Sequence, residues 1–463
     1  MGLTLALLGA PVPATASRPT EGGLWAFEPS DVVEHLDDAS GLVRVHYSTD
    51  GPNQTLLADG DMDGLPDFAQ DVAARAAEVL AFYETDLGLR PPVSESDLGL
   101  GSLGGSYAFD FYLVDFGGSA DGLFAVDGCS SVPLHCAGHM VMENDFSGYG
   151  YPSLAVAVEV LTSHELFHAV QSAYDGDLPV WISEGTAVWG ERQFDPSSLD
   201  FLWFADAYLD DTGRSLDRPP VGPVPTFAYA TALWWDFLTT RHDPDLMHEL
   251  LLALERTSSE PQDALVAMVT VLEVRGDSIE DAFSTFARWN LATGRRAGVA
   301  ESHAYAADLS GVTAEVEGVT IDDENRFYPL AATYYRLDHP GGQLWFTADE
   351  IEPGLVFSLH AVADGSADGP VEDALEIWPA DGDTREISGD EVLSAGGYWL
   401  VGTNAQLAEQ STRTRVCLGP EDDVLACLPV EPEEEGGCGC DGTSGTPGLG
   451  LWLVPLVALR RRN

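Results

Sequence analysis

Residues 160–189 contain side chains whose types and spacing could bind a metal ion and activate a water molecule. The segment reads VLTSHELFHAVQSAYDGDLPVWISEGTAVW and includes a His-Glu-x-x-His motif formed by His164, Glu165 and His168. Residues four apart lie on one face of a helix, so the two imidazoles could bind the same ion. Glu165 lies about 100° further round the helix axis than His164, from where its carboxylate could accept a proton from water without binding the metal. The motif predicts a zinc centre with Glu165 as the general base.

A third ligand is expected because catalytic zinc usually has three protein ligands and one open position. Glu184 is the predicted third ligand. It follows His168 by sixteen residues, which is enough for a turn and a second helix over 181–194 that runs back alongside the first. Gly185 and Ala187 are small and would allow the two helices to approach closely. The competing interpretation is a helix with two surface or core-edge histidines and no metal.

The runs HELFHAVQ and PVWISEGTA resemble the gluzincin branch of zinc metallopeptidases. The chain is also similar to a myxobacterial metalloprotease group, which has an acidic loop upstream and a β-rich C-terminal part. The resemblance covers about residues 42–429. It implies that His164, His168 and Glu184 bind zinc and that Glu165 is the general base.

The resemblance also implies a strand that lines the cleft and pairs with an extended substrate backbone. Here that strand is expected to be HMVMEND at 139–145. The sequence departs from the thermolysin pattern at Val188. Thermolysin has an aspartate at the corresponding position, which orients a histidine. Glu191 or Asp175 is expected to take that role instead.

The motif does not define the group that stabilises the oxyanion formed during hydrolysis. Tyr229, at the start of YATALWWDFL, is the first candidate, because tyrosines donate to the oxyanion in related enzymes. His242 and His248 are further candidates. The alternative for Tyr229 is a core position, as for most tyrosines on an apolar helix.

An acidic loop at 59–67, DGDMDGLPD, matches the calcium-loop pattern D-x-D-x-D-G. Gly64 permits the tight turn that such a loop requires. Position twelve is Gln70 rather than glutamate, with Asp71 beside it, which leaves bidentate ligation open. The sequence predicts a structural Ca²⁺ site, with a plain acidic turn before a helix as the alternative. The predicted ligands are Asp59, Asp61, Asp63 and Asp67.

Four of the six cysteines form two pairs at short separations. Cys129 and Cys136 lie seven residues apart, and Cys417 and Cys427 lie ten apart. Each pair could close a short loop in an oxidising compartment. A zinc ribbon is the competing assignment, but no C-x2-C spacing occurs. We therefore predict two disulfides in an exported protein.

Both ends of the chain resemble targeting segments. Residues 1–16 form a short apolar run that ends in Ala-Thr-Ala, the small-x-small pattern of a signal-peptide cleavage site, although no basic residue precedes the run. Residues 431–463 contain an acidic linker, Cys438 and Cys440, about a dozen apolar residues and three arginines. This tail resembles the C-terminal sorting signal of myxobacterial surface proteins, with an incidental amphiphilic tail as the alternative. It predicts a cell-surface or secreted protein that contacts the membrane only through the tail.

The pattern of apolar residues predicts an α+β protein. Strand-like runs and helical segments alternate up to about residue 295, and beyond residue 311 short β-rich runs are broken by Gly, Pro and Asp. We expect a zincin-like metallopeptidase domain at 24–300, with a mixed sheet plus active-site helices. A β-sandwich-like accessory domain is expected at 312–430.

Charge restricts the possible partners. The 21 basic residues against 76 acidic ones give a net charge of −55, which repels phosphate backbones and argues against nucleic-acid binding.

The predicted function is an exported zinc-dependent endopeptidase that acts on proteins or peptides. One alternative is a zinc aminopeptidase, because MEN at 142–144 matches part of an amine-binding signature. The other is a non-catalytic surface adhesin with a structural metal site. The sequence gives no indication of oligomeric state.

Overall fold

The computed structural model describes residues 17–23, 25–221, 225–258, 260–349, 354–366, 368–387, 393–407 and 410–427. The predicted signal peptide at 1–16 and the tail with Cys438 and Cys440 lie outside these residues. Within them the chain is α+β and contains several sheets, as the sequence predicts.

The described strands and helices follow one another in a mixed N-terminal half and a β-rich C-terminal part. The strands are β1 (Val33–Asp37), β2 (Val43–Ser48), β3 (Phe109–Val114), β4 (Gly122–Cys129), β5 (Cys136–Glu143), β6 (Val316–Gly318), β7 (Ile321–Phe327), β8 (Ala331–His339), β9 (Trp345–Ala348), β10 (Leu355–Val362), β11 (Val371–Pro379), β12 (Arg385–Glu386), β13 (Gly396–Asn404) and β14 (Thr412–Gly419). The α-helices are α1 (Asp67–Thr85), α2 (Leu154–Gln171), α3 (Val180–Phe194), α4 (Leu199–Leu209), α5 (Thr226–Ala230), α6 (Ala232–Arg241), α7 (Asp245–Leu254), α8 (Ala264–Val274), α9 (Ile279–Leu291) and α10 (Glu421–Cys427).

The first sheet has five strands in the order β1-β2-β3-β5-β4. β2, β3 and β5 are parallel, whereas β1 and β4 are antiparallel to their neighbours and form the two edges. The run HMVMEND at 139–145 begins in β5, which pairs with β3 on one side and β4 on the other. The prediction that this run pairs with substrate is therefore wrong, because neighbouring strands already occupy its backbone groups.

The two faces of the first sheet are covered by different parts of the chain. α1 and α2 pack on one face, and apolar side chains of α1 such as Phe68, Val72 and Val79 recur at helical spacing and are buried there. The N-terminal segment covers the other face, where the rings of Trp25 and Phe116 lie 4.7 Å apart. The sheet thus forms a rigid support under α2.

The motif helix α2 lies between the sheet and α3. It begins at Leu154, and the Oγ of the preceding Ser153 accepts from the backbone N–H of Val156 at 3.2 Å and so caps the helix. α3 runs alongside it, as the spacing of the motif predicts. Gly190 on α3 faces the ring of Phe167 so closely that a Cβ at this position would lie 2.4 Å from Cδ2. Glycine thus permits the close helix contact that surrounds the motif with protein.

The C-terminal part contains two further sheets. Their strand orders are β11-β10-β13-β8-β6 and β12-β9-β14-β7, and apolar side chains from both sheets share one core. The other face of the first of these sheets packs on α9, where Tyr334 Oη donates to the carbonyl of Ala287 at 2.9 Å. The domain boundaries at 24–300 and 312–430 stay predictions.

The structure contains both predicted disulfides. Cys129–Cys136 joins β4 to β5, and Cys417–Cys427 joins β14 to α10. Across the described ranges, no helix combines the length and apolar character needed to cross a membrane.

Candidate metal centre

Three side chains from two adjacent helices converge above the first sheet. His164 and His168 lie one turn apart on α2, and Glu184 lies on α3. Each contributes a nitrogen or oxygen atom, and these atoms all lie within 4.8 Å of one another. The structure thus brings together the three residues that the sequence predicts as ligands.

The three potential ligand atoms form a nearly equilateral triangle. The Nε2 atoms of His164 and His168 are 3.1 Å apart, and Glu184 Oε2 lies 3.4 Å from the first and 3.5 Å from the second. Bonds of about 2.0–2.1 Å would place neighbouring ligands of a tetrahedral zinc ion roughly 3.3–3.4 Å apart. The triangle therefore has the dimensions of three corners of a tetrahedral site. No further His, Cys, Asp or Glu among the described residues joins this group.

Hydrogen bonds fix the orientation of both imidazoles. His164 Nδ1 lies 2.5 Å from Glu191 Oε1, and His168 Nδ1 lies 2.8 Å from Gln171 Oε1. If each Nδ1 donates, each Nε2 keeps a lone pair with which it can bind a metal ion. This arrangement, with a carboxylate or amide oxygen behind each ring, is typical of histidines that bind metal.

The two glutamates nearest the histidines differ in proton affinity. Burial by itself would raise the pKa of Glu184, but the facing imidazoles outweigh it and lower that pKa to about 2. Burial raises the pKa of Glu165, and the imidazoles of His168 and His164 only partly oppose this. Glu184 therefore has the character of an anionic ligand, and Glu165 that of a base.

Several buried polar atoms around this group make no hydrogen bond to the described protein atoms. They are Glu165 Oε1, Glu184 Oε2, Glu191 Oε2 and Tyr229 Oη. Buried polar atoms without a partner are rare, so four of them around one point require an explanation. A cation with coordinated water would give partners to Glu165, Glu184 and Tyr229, whereas Glu191 lies behind the ring of His164 on its Nδ1 side. The donor set of two imidazoles and a carboxylate suits zinc.

Glu165 lies between the histidines and the edge strand β4. A Cβ on Gly122, the first residue of β4, would lie 3.6 Å from Glu165 Oε1. The preceding residue, Asp121, accepts from Tyr151 Oη at 2.8 Å, and burial raises its pKa. The candidate base is therefore close to the start of an edge strand.

Tyr229 also lies at this centre. Its ring stacks on that of His164 with centroids 5.7 Å apart and on that of Phe204 at 4.9 Å. Burial and then the charge of Glu184 raise the pKa of Tyr229 well above its usual value. The hydroxyl is thus a protonated donor beside the ligand triangle. Both interpretations made from the sequence apply in part, because Tyr229 is a core residue by packing and a site residue by position.

The other candidates from the sequence lie elsewhere. Asp175 does not contact either histidine of the motif, because it pairs with Arg256 at 3.2 Å. His242 pairs with Asp277 at 3.0 Å, and His248 packs on the ring of Tyr174. Of the two predicted orienting carboxylates, Glu191 is therefore the one that contacts a histidine of the motif.

The acidic loop before α1 brings three of its four predicted ligands together. Carboxylate oxygens of Asp59, Asp61 and Asp67 lie within 4.8 Å of one another. Asp63 is not part of this group, because its carboxylate accepts from the Leu65 N–H and from Gln70 Nε2, each at 2.8 Å. The three grouped carboxylates could hold a hard cation such as Ca²⁺.

Two parts of the centre were missed by the sequence analysis. Gln171 has a signal in the sequence, since it lies three residues after His168 and thus on the same helix face. Its Nε2 donates to Thr186 Oγ1 and to the Ser183 carbonyl, each at 2.7 Å, which fixes the amide. The strand β4 has no such signal, because glycines lie near both of its ends.

Comparisons with known proteins identify no family for the chain. No family model matches it, and no curated protein matches it either. Among solved structures, the pre-peptidase C-terminal domain of collagenase from Bacillus anthracis is similar over 24% of this chain and 99% of that domain, with 10% identity and a TM-score of 0.18. PliG from Aeromonas hydrophila, a periplasmic inhibitor of g-type lysozyme, is similar over 23% of this chain and 98% of its own, with 13% identity and a TM-score of 0.16.

Proposed function

We propose that the protein is an exported zinc-dependent endopeptidase that hydrolyses peptide bonds in protein substrates. The observation that carries this proposal is the ligand triangle of His164, His168 and Glu184, whose edges measure 3.1–3.5 Å. Glu165 lies beside the triangle with a buried oxygen that has no partner among the described residues. A purely structural site would not require a base with these properties.

Each side chain at the centre has a separate role in the proposed reaction. Zinc held by the three ligands would acidify water and polarise the scissile carbonyl. Glu165 would accept the proton of the attacking water and pass it to the leaving amine, a role that its raised pKa suits. Tyr229, protonated because its pKa is raised, would donate a hydrogen bond to the oxyanion. Glu191 and Gln171 would keep the two imidazoles in place.

The edge strand β4 is the proposed site for the substrate backbone. Strands at the edge of a sheet have outward N–H and C=O groups that can pair with an extended peptide. Gly122 places the start of this edge near Glu165. A peptide that pairs along an edge can be held far from its own ends, which favours cleavage within a chain.

The remaining elements of the proposal concern architecture and location. We place the catalytic centre in a zincin-like domain at 24–300, followed by a β-sandwich-like accessory domain at 312–430. Ca²⁺ in the acidic loop would stabilise the start of α1. The two disulfides favour an oxidising compartment outside the cytoplasm. Retention at the cell surface or secretion would depend on the tail.

A casein cleavage assay tests the proposal directly. Purified protein should cleave casein, lose activity with a zinc chelator, and recover it with zinc but not with magnesium. The protein should also cleave a peptide whose N-terminus is blocked. Activity on an unblocked aminoacyl amide alone would instead establish an aminopeptidase.

The structure does not favour the aminopeptidase. The carboxylate of Glu143, its candidate amine-binding group, already accepts from the Phe116 N–H at 2.9 Å and from Tyr149 Oη at 2.8 Å. If neither casein, nor the blocked peptide, nor the amide is cleaved by the zinc-loaded protein, the enzyme proposal fails and the adhesin alternative gains support.

A further inference from the structure

Two arginines lie directly opposite each other in the third sheet. Arg413 on β14 is the cross-strand partner of Arg326 on β7. Like charges in this position destabilise a strand pair. The preceding pair on the same face is complementary, since it matches Arg415 with Glu324. On this face a complementary pair is thus followed by a pair of like charges.

Ion pairs with neighbouring carboxylates do not remove the mismatch. Each arginine on β14 reaches diagonally to an acidic residue of β7: Arg415 to Asp322 at 2.8 Å, and Arg413 to Glu324 at 3.0 Å. Arg413 pairs with Glu324, and Arg326 forms no ion pair within the described parts of the chain. Its guanidinium has five donors and stays charged at any pH the protein meets.

The two arginines line a depression to which a third arginine, from another part of the chain, also contributes. The depression has a volume of about 520 Å³, which is within the size range of small-molecule sites. The third arginine, Arg218, lies between α4 and α5 and is 3.5 Å from the carboxylate of Asp217. Tyr328 is 44% exposed and contributes an aromatic surface. The lining residues are Arg218, Arg326, Tyr328, Gln410, Ser411 and Arg413.

The rest of the protein makes this cluster unusual. All 21 basic residues of the chain are arginines, and 76 acidic residues oppose them. Three of the 21 line a single depression. The excess negative charge would repel a long polyanion such as a nucleic acid or an anionic membrane, but a small anion could enter.

We propose that this depression binds a small oxyanion, the carboxylate or phosphate of a ring-bearing molecule such as an acidic sugar. The planar forks of Arg326 and Arg413 suit two oxygens of one oxyanion, and Arg218 adds a third guanidinium to the lining. Tyr328 would pack on the ring of the ligand, and Gln410 and Ser411 would bind its hydroxyl groups. The site is separate from the proposed metal centre and does not depend on it.

Calorimetric titration of the full chain at low salt tests the proposal. The probes are inorganic phosphate and D-galacturonate, with D-galactose as the neutral comparison. We expect saturable binding of at least one of the two anions, none of galactose, and weaker binding as salt is added. The variants R326Q and R413Q should each weaken binding by about tenfold or more, since each removes a charge-assisted pair.

R385Q is the matched control. Arg385 lies on β12 of the same sheet and pairs with Asp381 outside the depression. Its variant should bind within about twofold of the parent, because long-range charge effects are screened. Melting curves verify that each variant is folded. If R413Q does not fold, the binding measured for R326Q alone tests the proposal.

The three possible results have separate meanings. Binding of phosphate alone identifies a phosphorylated ligand, and binding of galacturonate identifies a carboxylated one. If neither anion saturates the parent, or if both arginine variants bind as well as R385Q, the proposal is overturned.

Discussion

Glu165 and Glu184 are buried carboxylates on neighbouring helices, yet their surroundings give them different chemistry. Glu184 faces both imidazoles, which lower its pKa to about 2 and keep it anionic. Glu165 faces the sheet instead, where burial raises its pKa and one oxygen has no partner among the described residues. The division into ligand and base that we propose rests on the groups that each carboxylate contacts, which the motif alone does not give.

Glu165→Gln should abolish hydrolysis while the variant still binds about one zinc per chain, because the amide keeps the shape of the side chain but cannot accept the proton. Casein cleavage and metal analysis measure the two effects. Glu159→Gln, on the outer side of the same helix near Arg75, is the control and should retain activity. A Glu165 variant as active as its parent would show that another group is the base.

Glu191→Gln should weaken zinc binding by about 10- to 100-fold, since loss of the carboxylate behind His164 makes that imidazole a poorer ligand. Competition with a chelating dye gives the affinity. Asp175→Asn is the matched control, because Asp175 pairs with Arg256 instead of a histidine of the motif. Equal affinities for the two variants would remove Glu191 from the metal centre.

At the scale of elements, the contact between α2 and α3 sets the position of Glu184 relative to the histidines. Gly185 and Gly190 both lie where a Cβ would collide with a neighbour: Thr231 Oγ1 at 2.0 Å for the first and Phe167 Cδ2 at 2.4 Å for the second. The two glycines therefore let α3, which carries Glu184, pack closely on Thr231 and on Phe167 of α2.

Gly190→Ala should lower the free energy of unfolding by about 1–3 kcal/mol, because the added methyl group must displace a buried ring. Urea denaturation measures the change. Gly213→Ala places the same methyl group in open space and should change stability by less than about 0.5 kcal/mol. Equal stability of the two variants would mean that α2 and α3 can separate without cost.

Ca²⁺ should raise the melting temperature of the protein, because binding to the folded loop alone stabilises the folded state. Asp61→Asn should reduce the effect, since Asp61 is one of the three grouped carboxylates. Asp71→Asn is the comparison and should respond to Ca²⁺ like the parent. A melting temperature that does not change with Ca²⁺ would leave the loop as a plain acidic turn.

The sequence predicted helices better than strand order. α2 and α3 follow from apolar spacing and from the sixteen residues between His168 and Glu184, both of which are local properties. The interior position of β5 could not be derived in the same way, because an apolar run has the same sequence pattern at the edge and in the interior of a sheet. Asp63 shows a similar limit: its spacing fits a calcium ligand, but Gln70 and the Leu65 N–H compete for its carboxylate.

For the whole molecule, two buried histidines outside the candidate metal centre link stability to pH. Burial lowers the pKa of His303 to about 3 and that of His360 to about 4. Unfolded histidines have a pKa of about 6.5, so the unfolded chain binds these protons first as the pH falls. The stability that both rings contribute is complete above about pH 6.5 and is lost progressively toward pH 3–4.

Urea unfolding at pH 7 and pH 4.5 should therefore show a loss of stability on the order of a few kcal/mol, to which carboxylates also contribute. His303→Gln should reduce the loss, because the amide can donate to Asn290 Oδ1 as the ring does but cannot be protonated in this range. His35→Gln, at an exposed position on β1, is the control and should leave the loss unchanged. An unchanged pH dependence in the His303 variant would contradict the assignment.

X-ray absorption at the zinc edge, recorded on protein loaded with one equivalent of zinc, tests the proposed zinc centre. Zinc bound by His164, His168 and Glu184 should have about four nitrogen or oxygen neighbours at about 2.0–2.1 Å, two of them imidazoles, and no sulfur. Glu184→Gln should alter this spectrum. Failure of the parent protein to retain zinc, or a zinc ion with sulfur ligands, would contradict the metal centre and the function built on it.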